Sequence, residues 1–109
     1  QLNHDRVKVF WAEGDPADQI LKICQKEKVD LLVAGALKKE NLVNHYLGTV
    51  ARKIMRKATC SIWMIVNPSV DYKPLKNIVV DAEGFEKMEP LIMLACQLAK
   101  KEKDSWVHV

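Results

Sequence analysis

Two kinds of apolar pattern alternate along this sequence, and the alternation restricts the fold more than any other feature. Residues 7–11 (VKVFW) are β-branched and aromatic and are bounded by Glu13-Gly14, which reads as a strand. Asp15-Pro16 then opens a helix. Asp15 can accept from a free backbone N–H at the helix start, Pro16 lacks the N–H that would be orphaned there, and Asp18 suits the positive helix end. Ala17, Ile20, Leu21 and Cys24 recur at three- and four-residue spacing, with Lys22, Gln25, Lys26 and Lys28 on the other face, so the helix runs to about Lys28. Residues 31–34 (LLVA) are a continuous apolar run, as in a strand covered on both faces of a parallel sheet, and the run ends at Gly35.

Residues 36–47 turn polar without a clear period and read as a loop or a short irregular helix. Gly48-Thr49 introduces a second helix with Thr49 as its N-cap and Val50, Ala51, Ile54 and Ala58 as its buried stripe. Residues 61–66 form the next strand, and residues 67–76, with Pro68 and Pro74, read as an extended linker. Residues 78–80 (IVV) are a buried strand closed by Asp81. A turn through Gly84 leads to a helix that holds Pro90 in its first turn and has Leu91, Leu94, Ala95 and Leu98 on its apolar face. Residues 106–109 (WVHV) begin a final strand. Strands separated by helices call for right-handed crossovers, so the expected fold class is α/β: one open parallel sheet with helices on both faces.

Composition narrows the function classes. At 109 residues, with 49% hydrophobic and 28% charged residues, the chain is expected to form one small globular domain and is too short for two. The net charge of +3 is mild, and both signs are interspersed along the helices, which reads as solvated faces rather than a nucleic-acid surface. No apolar run approaches the roughly 20 residues that span a bilayer, so no direct membrane insertion of this segment is expected. Cys24, Cys60 and Cys96 are odd in number and widely separated, which suits buried reduced thiols in a cytoplasmic protein. Neither they nor His4, His45 and His108 have the short spacing of a metal site, and no metal is expected. Trp11, Trp63 and Trp106 all fall on strands, where core or interface packing is expected rather than base stacking. The chain starts in mid-flow at Gln1 and stops inside an apolar run at Val109, as a piece of a longer polypeptide would.

The stretch VDLLVAGALKKENLVNHYLGTVARKIMRKATCSIWMIV, residues 29–66, resembles the last third of a universal stress protein domain, and VFWAEGDPADQIL, residues 9–21, resembles the strand and helix before it. KNIVVDAEGF, residues 76–85, resembles the opening strand of the same family, and WVHV its second strand. The elements come in permuted order. The resemblance implies that residues 1–66 are the C-terminal part of one such domain, 67–76 a linker and 77–109 the N-terminal part of a second.

Nucleotide-binding members of that family carry Gly, two residues, Gly, nine residues, Gly and then Ser or Thr. Here Gly35 stands first, Lys38 occupies the second glycine position, and Gly48-Thr49 follow at the required spacing. The physics is that of a phosphate nest: glycines let the backbone approach the anion, and N–H groups of Gly48, Thr49 and Val50 at a helix start point at negative charge. The resemblance further implies that Asp81 is the ribose- or adenine-side acidic residue and Val109 the apolar position that meets adenine, so ATP or AMP is the implied ligand. Gly35 and Asp81 should emerge side by side at the switch in strand order, with the Gly48 amides and the Asp81 carboxylate at one rim of one sheet. Structural readings stand beside these: Gly35 as a strand-ending turn, Gly48-Thr49 as a helix cap, and Asp81 as the cap of its own turn. Lys38 either closes the nest, because it lacks glycine's freedom at positive φ, or pairs with a phosphate as a point charge.

The family's sheet order is three, two, one, four, five. Residues 67–76, fully stretched, reach about 33 Å, barely enough to bring the second half back onto the first, so a homodimer exchanging halves is expected. The resemblance implies a nucleotide-linked regulatory module, with the cytosolic part of a cation/proton antiporter as one setting. The alternative is a dimerisation or interaction module of the same fold that binds no nucleotide. No nucleophile, base and orienter occur together, so catalysis beyond a weak ATPase is not expected.

Overall fold

The computed structural model describes residues 6–36, 47–66, 69–71, 73–81, 83 and 88–109. The loop containing Lys38 and the turn through Gly84 lie outside them. The chain divides into two compact units, Gln1–Pro68 and Ser69–Val109, where length alone suggested a single domain.

The first unit contains α1 (Pro16–Lys26), β1 (Leu31–Gly35), α2 (Thr49–Lys57) and β2 (Ser61–Ile65). Helix α1 starts where its sequence requires. Asp15 is the N-cap in extended conformation, its Oδ1 accepts from the Asp18 N–H at 2.9 Å, and Pro16 follows at the helix start. The helix stops when Lys28 enters the left-handed region (φ 50°) and the Val29 N–H donates back to the Cys24 carbonyl at 2.9 Å. Strands β1 and β2 are parallel, with Leu31 opposite Ser61 and Gly35 opposite Ile65, and α2 is the crossover between them. Helix α1 packs on α2. The cap of α2 is Gly48, one residue before the expected Thr49.

The second unit contains β3 (Asn77–Val79), α3 (Met88–Lys101) and β4 (Trp106–His108). β3 and β4 are parallel, with Ile78 opposite Val107, and α3 packs on both. A cross-strand contact joins His108 Nε2 and Asn77 Oδ1 at 3.2 Å.

The α/β class with parallel strands is as expected. The single sheet is not: β1–β2 and β3–β4 form two separate two-stranded sheets. In the strand order that the resemblance implies, one sheet would set β1 beside β3, and the ten residues 67–76 reach only about 33 Å when fully stretched. Nor is each sheet covered on both faces. In β1 and β2, Leu32, Ala34, Ile62 and Met64 are half-buried, while the opposite face leaves Leu31, Val33 and Trp63 about half exposed.

The expected strand at residues 7–11 forms no strand, and Trp11 is 93% exposed. Strand propensity is expressed where a ladder partner exists. Among the described residues no strand pairs with this segment. The same cause accounts for the tryptophans, since the sheet faces that Trp63 and Trp106 were expected to fill are open, and both are exposed.

Candidate functional site

At the C-terminal end of β1 a hollow of about 310 Å³ is lined by Ile20 of α1, Ala34 and Gly35 of β1, the cap Gly48, and Val50, Ala51 and Ile54 of α2. Its geometry follows from the β1–α2–β2 crossover, which aims the start of α2 at the end of β1. Gly48 is buried and makes no side-chain cap, since glycine has none to offer. The first carbonyl bond of the helix is Arg52 N–H to Gly48 C=O at 3.1 Å, so the N–H groups of Thr49, Val50 and Ala51 lie ahead of the helical ladder and point out of its positive end. Gly35 has open space beside it: a Cβ built there meets nothing within 4 Å. Packing within the protein therefore does not require glycine at this position.

The remaining expected site residues are placed differently. Thr49 lines another hollow, with Arg52, Lys53, Arg56 and Lys57. Asp81 Oδ1 accepts from the Glu83 N–H at 3.1 Å, the turn-capping arrangement, and Asp81 lines an apolar hollow of the second unit with Ile78, Leu91, Leu94, Ala95 and Leu98. Val109 follows β4 and is 72% exposed. Gly35, Gly48 and Val50 thus come together in the first unit, whereas Asp81 and Val109 belong to the second, and their strands lie in different sheets. The expected rim shared by the Gly48 amides and Asp81 presumed one sheet. Lys38 lies outside the described residues.

Three relations were not visible in the sequence. Ile20 forms a wall of the glycine hollow, although its place on the α1 stripe marked it only as buried. Lys53 Nζ contacts Asp15 Oδ1 at 3.1 Å and Asp18 Oδ1 at 2.9 Å, tying α2 to the start of α1. The Asp18 N–H, and then the Lys53 ammonium, hold the Asp15 carboxyl below its usual value, while hydrogen bonds to Asp18 and Asp15 push the Lys53 ammonium up. Finally, Cys24 is buried beside half-buried Cys60, and Cys96 is exposed, so the expectation of three buried thiols holds only for Cys24. Among the described residues no helix is long and apolar enough to cross a membrane.

The sequence profile of the universal stress protein family matches residues 1–66. The chain belongs to that family. Two curated universal stress proteins are similar to part of the chain. A universal stress protein of Methanothermobacter thermautotrophicus is 44% identical over 59 residues, which is 53% of this chain and 39% of that protein. One of Methanocaldococcus jannaschii is 36% identical over 63 residues, 58% of this chain and 37% of that protein. The chain thus spans less than two fifths of the length of these curated relatives. No solved structure matches it significantly. The family match covers the unit that holds the glycine hollow, and Gly35 and Gly48 fall inside it.

Proposed function

We propose that this universal stress protein segment is a regulatory module whose first unit holds the phosphates of an adenine nucleotide, of the ATP or AMP type, at the start of α2. The observation that carries the reading is the pairing of Gly35 and Gly48 on one hollow ahead of uncapped helix N–H groups. An anion there would complete the Thr49, Val50 and Ala51 donors, and the open side of Gly35 lets a ligand approach the strand end closely. Asp81 caps its own turn and is left out of this reading. Calorimetric titration of the chain with ATP, ADP and AMP tests it. Saturable heat with at least one nucleotide is expected, and no heat or thermal shift at millimolar nucleotide overturns it. Lys38→Gly is the companion variant. Tighter binding shows that the lysine obstructs the nest, and weaker binding shows that its ammonium contributes.

One observation favours a second reading, an interaction module that binds no nucleotide. The face of β1–β2 bearing Leu31, Val33 and Trp63 is apolar and uncovered, as is Trp106 in the second unit. The partner in this reading is a second copy exchanging halves. The cytosolic part of a cation/proton antiporter remains the proposed setting, tested by whether the parent polypeptide contains membrane spans.

A further inference from the structure

Two cysteines far apart in sequence flank a single step of backbone. The Val29 N–H donates to the Cys24 carbonyl at 2.9 Å, and the Ser61 N–H donates to the Asp30 carbonyl at 3.2 Å. Leu31 is opposite Ser61 at the first step of the parallel ladder, and Asp30 and Cys60 are the residues just before it. Cys24 at the end of α1 and Cys60 just before β2 thus both border residues 29–30. Both are free thiols; Cys24 is 6% exposed and Cys60 half-buried. Burial first, and then the adjoining Cys60 sulfur, push the Cys24 thiol up, so the side chains adjoin as well as the backbones. Neither lines the glycine hollow.

We propose that Cys24 and Cys60 form a reversible thiol–disulfide site whose oxidant is a hydroperoxide. The reaction goes in two steps. The more accessible Cys60 attacks as thiolate on the peroxide oxygen, the O–O bond breaks, and the alcohol (water, for hydrogen peroxide) leaves, so that Cys60 becomes a sulfenic acid. The Cys24 sulfur then loses its proton and displaces the Cys60 hydroxyl, which leaves as water, and the S–S bond forms. Two thiols lose two electrons and two protons in total, and the peroxide takes them up. A thiol reductant reverses the bond. The crosslink ties the end of α1 to the start of β2 and closes the chain segment containing β1 and α2, which constrains the unfolded state of this unit.

The test uses the 109-residue chain carrying Cys96→Ser, which removes the exposed thiol of α3. Treated with hydrogen peroxide under native conditions, it should fall from two free thiols to none. A Cys24–Cys60 peptide two hydrogens lighter should appear within one chain, the thermal midpoint should rise, and dithiothreitol should restore both thiols. With Cys24→Ser added, oxidation should stop at a Cys60 sulfenic acid trapped by dimedone. Thiols that stay free, Cys60 oxidised to sulfinic acid with Cys24 untouched, or crosslinks only between chains would each overturn the assignment.

Discussion

Asp15 has two duties at the start of α1: its carboxylate caps the Asp18 N–H and meets the Lys53 ammonium of α2. Both partners favour the charged form, so its folded pKa lies below the unfolded one. The stability it contributes is present above the ordinary carboxylate range and is lost as pH falls through the lowered folded value, below about pH 4. Lys53 has the opposite sign. Its pKa is raised, so its contribution is intact below the ordinary lysine value and is lost as pH rises beyond about 10. Urea midpoints should therefore be level near neutrality and fall at both extremes, and Asp15→Ala should lower the neutral midpoint and flatten the acid limb. An unchanged acid limb in that variant would remove Asp15 from the explanation. Gly14 has φ +115°, and a Cβ there would sit 3.2 Å from Gln19 Nε2. Gly14→Ala should cost about 1–3 kcal/mol of stability by denaturation. Gly35→Ala should leave stability within about 1 kcal/mol of the native chain, since nothing occupies the space, yet weaken nucleotide binding. The Asp15-Pro16 cap was legible in the sequence because capping is local. The Lys53 partnership was not, because it depends on how α1 and α2 pack.

The three helices were legible for the same reason, since each carries its own apolar period and α1 its own start signal. Strands 31–35 and 61–65 were legible as apolar runs, and their partnership through α2 follows from the crossover rule. Residues 7–11 have strand composition without a strand, because pairing is settled by a neighbour that composition does not name. Within the site, Gly35 and Gly48 were brought together by the glycine pattern that the family resemblance implied, whereas the Cys24–Cys60 contact depends on how α1 packs beside the start of β2. Ile54 is 2% exposed, on the inner side of α2 and against the glycine hollow. Ile54→Ala should cost about 2–5 kcal/mol, read as a loss in the unfolding of the first unit. A cost under about 1 kcal/mol would mean that α2 is not held by this side chain.

Two units with a two-stranded sheet each leave strand edges and apolar faces that a larger sheet would cover. The shared-sheet expectation failed because it took the strand order of a whole domain, whereas β1–β2 and β3–β4 pair separately. If halves exchange between copies, light scattering should give twice the chain mass at micromolar concentration, and a folded monomer on dilution would speak against exchange. The family match places the chain among the universal stress proteins through its first unit, which also holds the glycine hollow. Nucleotide added to ¹⁵N-labelled chain should move the amide resonances of Thr49, Val50 and Ala51, together with Gly35, along one saturation curve. Perturbations confined to other residues, or none at all, would contradict a phosphate held at the start of α2.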